Sequence, residues 1–290
     1  MLNLMLLRKN PYCQLMRLDK PIGILLLLIP CLWGIWVAPL MMKHAVSLGT
    51  LLYYSGLFLV ASCVMRSAGC VINDYFDREL DKSVERTKNR PLANGTIKPN
   101  NALILFCILS MIGLYLLVHL PLITLIIGIC VFIPIMIYPL MKRFTYFPQL
   151  FLGIIYNIGI VMGFVTISGQ FNPHILWLYA CGMFITVGYD TIYAFQDIQD
   201  DLKIGIKSSA IAWQKNPKLL IGLCYGIAFI CFAMFFTHFW INCGLIMLLI
   251  TVFIKLYFWN IQDTPQTLSL FKANVIVLLG LLLMIILDTP

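Results

Sequence analysis

The chain has 290 residues, of which 61% are hydrophobic and only 11% charged, and its mean hydropathy is +0.93. A water-soluble domain of this length has no use for so much apolar surface, so the composition excludes a soluble enzyme and describes a membrane protein. The formal net charge of +8 comes without interleaved basic and aromatic residues. That argues against nucleic acid and for anionic headgroups or phosphorylated substrates.

In chain order, the first seven residues, apolar except for Asn3, are too few for a signal-peptide core, and they precede Arg8 and Lys9 rather than follow them. They read as an interfacial stretch. A helix crossing ~30 Å of hydrocarbon needs about 20 apolar residues. Nine such runs follow: Ile22 to Leu40, Thr50 to Ile72, Ala102 to His119, Leu122 to Tyr138, Leu150 to Ser168, Ile175 to Phe195, Leu219 to Phe236, Trp240 to Phe258 and Phe271 to Leu287. Leu120-Pro121 separates the third from the fourth. The expected fold is therefore an all-α integral membrane protein of nine transmembrane helices, forming one domain over residues 1–290. Two four-helix halves and a ninth helix fit the placing of the acidic residues, because four helices separate the two acidic clusters.

Two connections are long and polar, Asp77 to Asn101 and Gln196 to Lys218. With a cytoplasmic N-terminus, nine spans bring both to the cytoplasmic face, together with Arg8, Lys9, Arg17, Lys20, Lys142, Arg143, Lys203, Lys207, Lys215 and Lys218. Lys43 alone clearly falls on the other side, which is the asymmetry expected of cytoplasmic loops. The expected location is a bacterial inner membrane. The ten Cys form no CxxC pair and read as buried thiols, and the four His lack metal-ligand spacing and sit near helix ends.

Most of the negative charge falls in two clusters, Asn73-Asp74-Tyr75-Phe76-Asp77-Arg78-Glu79-Leu80-Asp81 and Asp190 through Asp197 to Asp200-Asp201. Membrane carboxylates cost about 2.5–3.5 kcal/mol each at a helix centre, so a chain that gathers several neutralises them with metal or cationic partners. On a helix, Asn73, Asp77 and Asp81 follow at steps of four and share a face, as do Tyr193, Asp197 and Asp201. Two oxygen-rich helix ends facing one another could hold hard cations. Mg²⁺ suits them, being bound through one or two carboxylates plus substrate phosphates, and two such ions would gather a diphosphate. Arg66, two turns before Asn73, joins Lys203, Lys207, Arg17, Lys20, Lys142 and Arg143 as candidates for a charge clamp. Glu79, Lys82, Glu85, Arg86 and Lys88 read instead as a solvated loop of mixed charge.

These motifs resemble those of the UbiA family of intramembrane prenyltransferases. Asn73-Asp74-x-x-Asp77-x-x-x-Asp81 is similar to the family's first aspartate motif, and Tyr193-x-x-x-Asp197-x-x-x-Asp201 to its second. The flanks Met65-Arg66-Ser67-Ala68-Gly69-Cys70, Arg86-Thr87-Lys88-Asn89-Arg90-Pro91-Leu92 and Lys203-Ile204-Gly205-Ile206-Lys207-Ser208 look like the 4-hydroxybenzoate polyprenyltransferases of ubiquinone synthesis. So do the stretch from Leu15 to Gly23 and Tyr138-Pro139-Leu140-Met141-Lys142-Arg143. The resemblance runs from about Arg17 to Trp213. It implies a central cavity whose polar end both motifs face, with an opening toward lipid for a prenyl tail. It further implies that Asn73 and Asp77 hold one Mg²⁺ and Asp197 and Asp201 another, with Asp81 an additional ligand.

The implied reaction joins a polyprenyl group from its diphosphate to the ring carbon ortho to the hydroxyl of 4-hydroxybenzoate. Asp74, Asp190 and Arg66 are the candidates for catalytic roles, Asp190 as an aid to phenol deprotonation. Arg17, Lys20, Tyr138, Lys142, Arg143, Tyr193, Lys203 and Lys207 are those for substrate binding, with Lys142 and Arg143 for the benzoate carboxylate. A sister reading keeps the reaction and changes the acceptor to homogentisate or dihydroxynaphthoate, a haem vinyl group or a glycerol phosphate. A cation-coupled transporter is the rival from another class, and it expects acids near the bilayer midplane rather than at one end beside Lys and Arg.

Overall fold

The computed structural model describes residues 9–42, 45–236 and 238–289. The apolar stretch before Arg8, and Arg8, Lys43 and His44, lie outside them. Among the described residues every regular element is a helix: α1 (Pro11–Leu15), α2 (Ile22–Met41), α3 (Leu48–Asp81), α4 (Pro99–Leu117), α5 (Leu122–Phe144), α6 (Pro148–Ser168), α7 (Ile175–Ala194), α8 (Ile198–Ile204), α9 (Ser209–Ala212), α10 (Pro217–Phe235), α11 (Phe239–Phe258) and α12 (Thr264–Asp288). Nine of these, all but α1, α8 and α9, are long and apolar enough to cross a membrane.

Local chemistry sets the boundaries. Pro99, Pro148 and Pro217 open α4, α6 and α10, where the missing N–H has no intrahelical acceptor to lose. The Ser47 and Asp263 side chains accept from the backbone N–H groups of Thr50 and Gln266 at the starts of α3 and α12. Gly169, at φ 70°, ends α6 in the left-handed conformation that only glycine adopts without strain.

Three boundaries differ from the hydropathy reading. Helix α3 runs on from Ile72 to Asp81, and its 34 residues extend ~50 Å, well beyond the hydrocarbon core. Helix α5 continues past Tyr138 to Phe144, and α12 begins at Thr264 rather than Phe271. In each case polar residues remain helical because the segment projects past the apolar layer. Both polar connections also carry order, the second one holding α8 and α9.

Each span packs on the next in sequence, and α12 returns against α2 and α7. Across the middle, α2 and α6 meet in an extensive contact. Small residues permit it: a Cβ at Gly34 would lie 1.9 Å from the Ile160 carbonyl oxygen, and one at Gly163 2.3 Å from that of Cys31. Helices α2, α6 and α7 are the most enclosed, whereas the apolar parts of α3, α4 and α5 face outward. Trp33, Ile160, Phe164, Ile185, Tyr189 and Phe232 are central to the main core. Some polar groups inside it are paired, as Trp33 Nε1 to the Leu278 carbonyl at 3.2 Å and Asn157 Nδ2 to Thr186 Oγ1 at 2.8 Å, whereas the Tyr189 hydroxyl and Asn157 Oδ1 have no partner among the described residues. A second cluster of Leu15, Val71, Leu92, Ile97 and Phe106 seats α1 and the α3–α4 connection beside the polar half of α3.

Candidate active site

The polar half of α3 turns from lipid to protein. Asp74, Asp77 and Asp81 are buried, at 1%, 2% and 6% exposure, so their charges require partners. Asp77 and Asp81, with Asn73, line a cavity of about 210 Å³ whose other walls come from the α3–α4 connection, α5, α6, α7 and the segment from Asp197 to Ser208. Both acidic clusters thus open onto one space at one end of the bundle.

In the first motif, Asn73 Nδ2 and Lys142 Nζ both donate to Asp77 Oδ2, at 3.0 and 2.6 Å. Asp77 Oδ1 is buried and has no partner. Arg90 donates to Asp81 Oδ2 at 2.8 Å and to Asp74 Oδ1 at 3.2 Å. Arg17 grips the same Asp74 carboxylate with one nitrogen, at 2.9 and 2.8 Å, while its backbone sits at φ 58°. A non-glycine residue in that region is strained, and the ion pair to a buried carboxylate holds it there. Arg17 and Asp74 accordingly tie α1 to α3, and neither lines the cavity.

The second motif is built on a break rather than on one helical face. Helix α7 ends at Ala194, and Asp197, at φ −111° and ψ 4°, stands at the N-cap position of α8, which carries Asp201. Tyr193, Asp197 and Asp201 still converge on the cavity, along with Asp190, Tyr138, Lys142 and Lys207. Arg86 donates from Nε to Asp197 Oδ1 at 2.7 Å and from Nη2 to Asp197 Oδ2, and its Nη1 reaches the Tyr193 hydroxyl at 3.0 Å. Its guanidinium also lies over the Tyr193 ring, 5.2 Å from the centroid. The Glu85 backbone N–H donates to Asp200 Oδ2 at 3.2 Å. That bond, with Lys203, holds the Asp200 carboxyl below its usual range. Burial, then the neighbouring Asp197 charge, pushes Asp201 up to about 7 against the opposing pull of Lys142 and Arg86.

Other sequence-selected residues lie elsewhere. Arg66 is half-buried two turns below Asn73, donating from Nη1 to the Tyr156 hydroxyl at 2.5 Å, with Nε buried and unpartnered. Arg143 donates to the Phe76 carbonyl at 2.9 Å. Lys203 is exposed beside Asp200, and Lys20 is exposed before α2. Asp190 has no hydrogen bond among the described residues. Conversely, Arg86, read as part of a solvated loop, is a wall of the site, and Arg90, Thr87, Gln149 and Ser208 join it. In the sequence Arg86, Thr87 and Arg90 stand out only in the family flank from Arg86 to Leu92, and Ser208 only in that from Lys203 to Ser208.

Among the described residues no three His, Cys, Asp or Glu side chains converge on one point. The donors present fit Mg²⁺ rather than a metal held wholly by protein, since that ion keeps water and substrate oxygens and takes few carboxylates. The orphaned Asp77 oxygen is an acceptor left without a donor. Asn73, Asp77, Asp197 and Asp201 are side chains that could supply oxygen ligands, and Asp81, whose Oδ2 is held by Arg90, lines the same cavity.

The UbiA prenyltransferase family model matches residues 27–282. A 4-hydroxybenzoate octaprenyltransferase of Coxiella burnetii (strain CbuK_Q154) is 37% identical over 268 residues, covering 91% of each chain. One from Shewanella sp. (strain W3-18-1) is 45% identical over 224 residues, 76% of this chain and 75% of the relative. Among solved structures, an apo UbiA homolog from Aeropyrum pernix K1 superposes with a TM-score of 0.72 at 24% identity, over 91% of this chain and 98% of that one. A UbiA homolog from Archaeoglobus fulgidus bound to DMAPP and Mg²⁺ gives 0.70 at 16% identity, over 96% and 100%. The spans, the shared fold and the family match together establish that this chain is an integral membrane protein of the UbiA prenyltransferase family.

Proposed function

We propose that the chain, acting as a single membrane domain, transfers a polyprenyl group from polyprenyl diphosphate to the carbon ortho to the hydroxyl of 4-hydroxybenzoate, in ubiquinone synthesis. The observation that carries this reading is the cavity itself, onto which both aspartate motifs open beside Lys142, Lys207, Arg86 and Arg90. Relatives at 37–45% identity that are named 4-hydroxybenzoate octaprenyltransferases support the acceptor. The acids gather at one end of the bundle, so a transporter path through the midplane is not favoured. The site face is cytoplasmic and the membrane is a bacterial inner membrane, which the run of basic residues on that face supports.

Two Mg²⁺ ions held by Asn73, Asp77, Asp197 and Asp201 would supply the positive charge against which diphosphate departs. Lys142, Lys207, Arg86 and Arg90 add cations around the same leaving group, and such charge helps most as negative charge develops on it. The allylic C1–O bond breaks with its electrons going to diphosphate, the ring carbon bonds to C1, and the ring proton then passes to the released diphosphate, restoring the aromatic ring. Asp190, half-buried on the cavity wall without a hydrogen bond, is suited to take a proton from the phenol. Tyr138 and Tyr193 flank the reacting ends, and the apolar bundle beneath keeps water from the allyl cation.

Membranes containing the protein should join 4-hydroxybenzoate to a polyprenyl diphosphate, EDTA should abolish the product, and Asp77→Asn should lower it by about 10²–10³-fold. Undiminished product after either treatment would overturn the metal reading.

A further inference from the structure

The geometry points to unequal loading of the two aspartate motifs: the Asp77 side takes a divalent cation by itself, and the Asp197 side takes one only once a diphosphate has drawn the Arg86 guanidinium away. The inference rests on the metal-dependent reading above and adds an order to it.

The two carboxylates differ in what they already hold. Both contacts to Asp77, from Asn73 and Lys142, fall on Oδ2, and Oδ1 is buried without a donor. A cation that reaches Oδ1 breaks no hydrogen bond and satisfies an oxygen whose isolation is unfavourable. Asp197 has no such oxygen. Arg86 spans it, with Nε on Oδ1 at 2.7 Å and on Oδ2 at 3.0 Å, and Nη2 on Oδ2. A cation there must first displace a bidentate guanidinium, the strongest class of side-chain hydrogen-bonded pair.

Diphosphate provides the exchange. Arg86 lines the same cavity as Lys142 and Lys207, so its fork already borders the space where a diphosphate would sit. Phosphate matches guanidinium geometry as well as carboxylate does, so the fork passes from one acceptor to the other without losing bonds and frees both Asp197 oxygens. The Glu85 N–H on Asp200 keeps the connection beside the second motif while only the neighbouring side chain swings. By linkage, whatever factor diphosphate adds to the second cation's affinity, the second cation returns to diphosphate.

Counting bound Mn²⁺ by electron paramagnetic resonance on the full chain in lipid nanodiscs, with and without a non-reactive prenyl thiodiphosphate, tests this. The wild type is expected to bind one ion alone and two with the analogue, the second at least tenfold tighter than without it. Arg86→Gln is expected to bind two ions without the analogue, and retention of the first ion certifies its fold. Two ions of equal affinity in the wild type without analogue would overturn the order, as would a single ion with it or an Arg86→Gln variant that still needs it. No bound Mn²⁺ under any condition would instead overturn the metal reading on which the order rests.

Discussion

At the scale of residues, the site separates carboxylates that face the cavity with spare capacity from those consumed by structure. Asp77 keeps an unpartnered oxygen, whereas Asp74 spends its carboxylate on Arg17 and Arg90. Asp77→Asn is therefore expected to lower product formation by about 10²–10³-fold, the scale of removing one preorganised electrostatic group, with little change in thermal stability. Asp74→Ala should behave oppositely, because stripping a buried partner from two guanidinia costs about 3–5 kcal/mol. A large fall in the thermal midpoint in detergent checks it, with Lys203→Ala, at an exposed pair, as the control that leaves the midpoint unchanged. Residue types and spacing made Asn73, Asp77, Asp197 and Asp201 legible in the sequence. The part played by Arg86 was not, because a loop guanidinium gains its role from a carboxylate 111 residues away, which no local period records.

At the scale of elements, the spans were legible because each must satisfy its backbone internally across the hydrocarbon, which forces long apolar runs. Their ends were less so. Hydropathy stops α3 at Ile72, yet the helix continues through Asp81 since Lys142, Arg17 and Arg90 neutralise its acids in place. Equal spacing in the second motif implied one continuous face, and the chain instead breaks after Ala194 and restarts at α8, converging the same residues by tertiary geometry. The α2–α6 contact depends on glycines that hydropathy treats as neutral. Gly163→Leu should destabilise by about 1–3 kcal/mol or more, since its side chain would enter space held by the Cys31 backbone. Gly226→Ala, where a Cβ meets nothing within 4 Å, should hold or raise the midpoint, as alanine favours a helix interior over glycine by about 1 kcal/mol. Thermal unfolding of the two variants in one detergent compares them.

At the scale of the whole molecule, the nine spans among the described residues close on themselves as α12 returns to α2, and the polar end of that bundle holds two aspartate motifs and the cations that face them. An enclosed charge clamp above apolar walls suits a reaction that releases a polyanion and passes through a carbocation. The most direct measurement is mass-spectrometric identification of the product when membranes containing the protein are given a panel of aromatic acceptors and polyprenyl diphosphates with Mg²⁺. A 3-polyprenyl-4-hydroxybenzoate that disappears with EDTA is the expected result. Prenylation of homogentisate or dihydroxynaphthoate in its place, or no prenylated product at all, would contradict it.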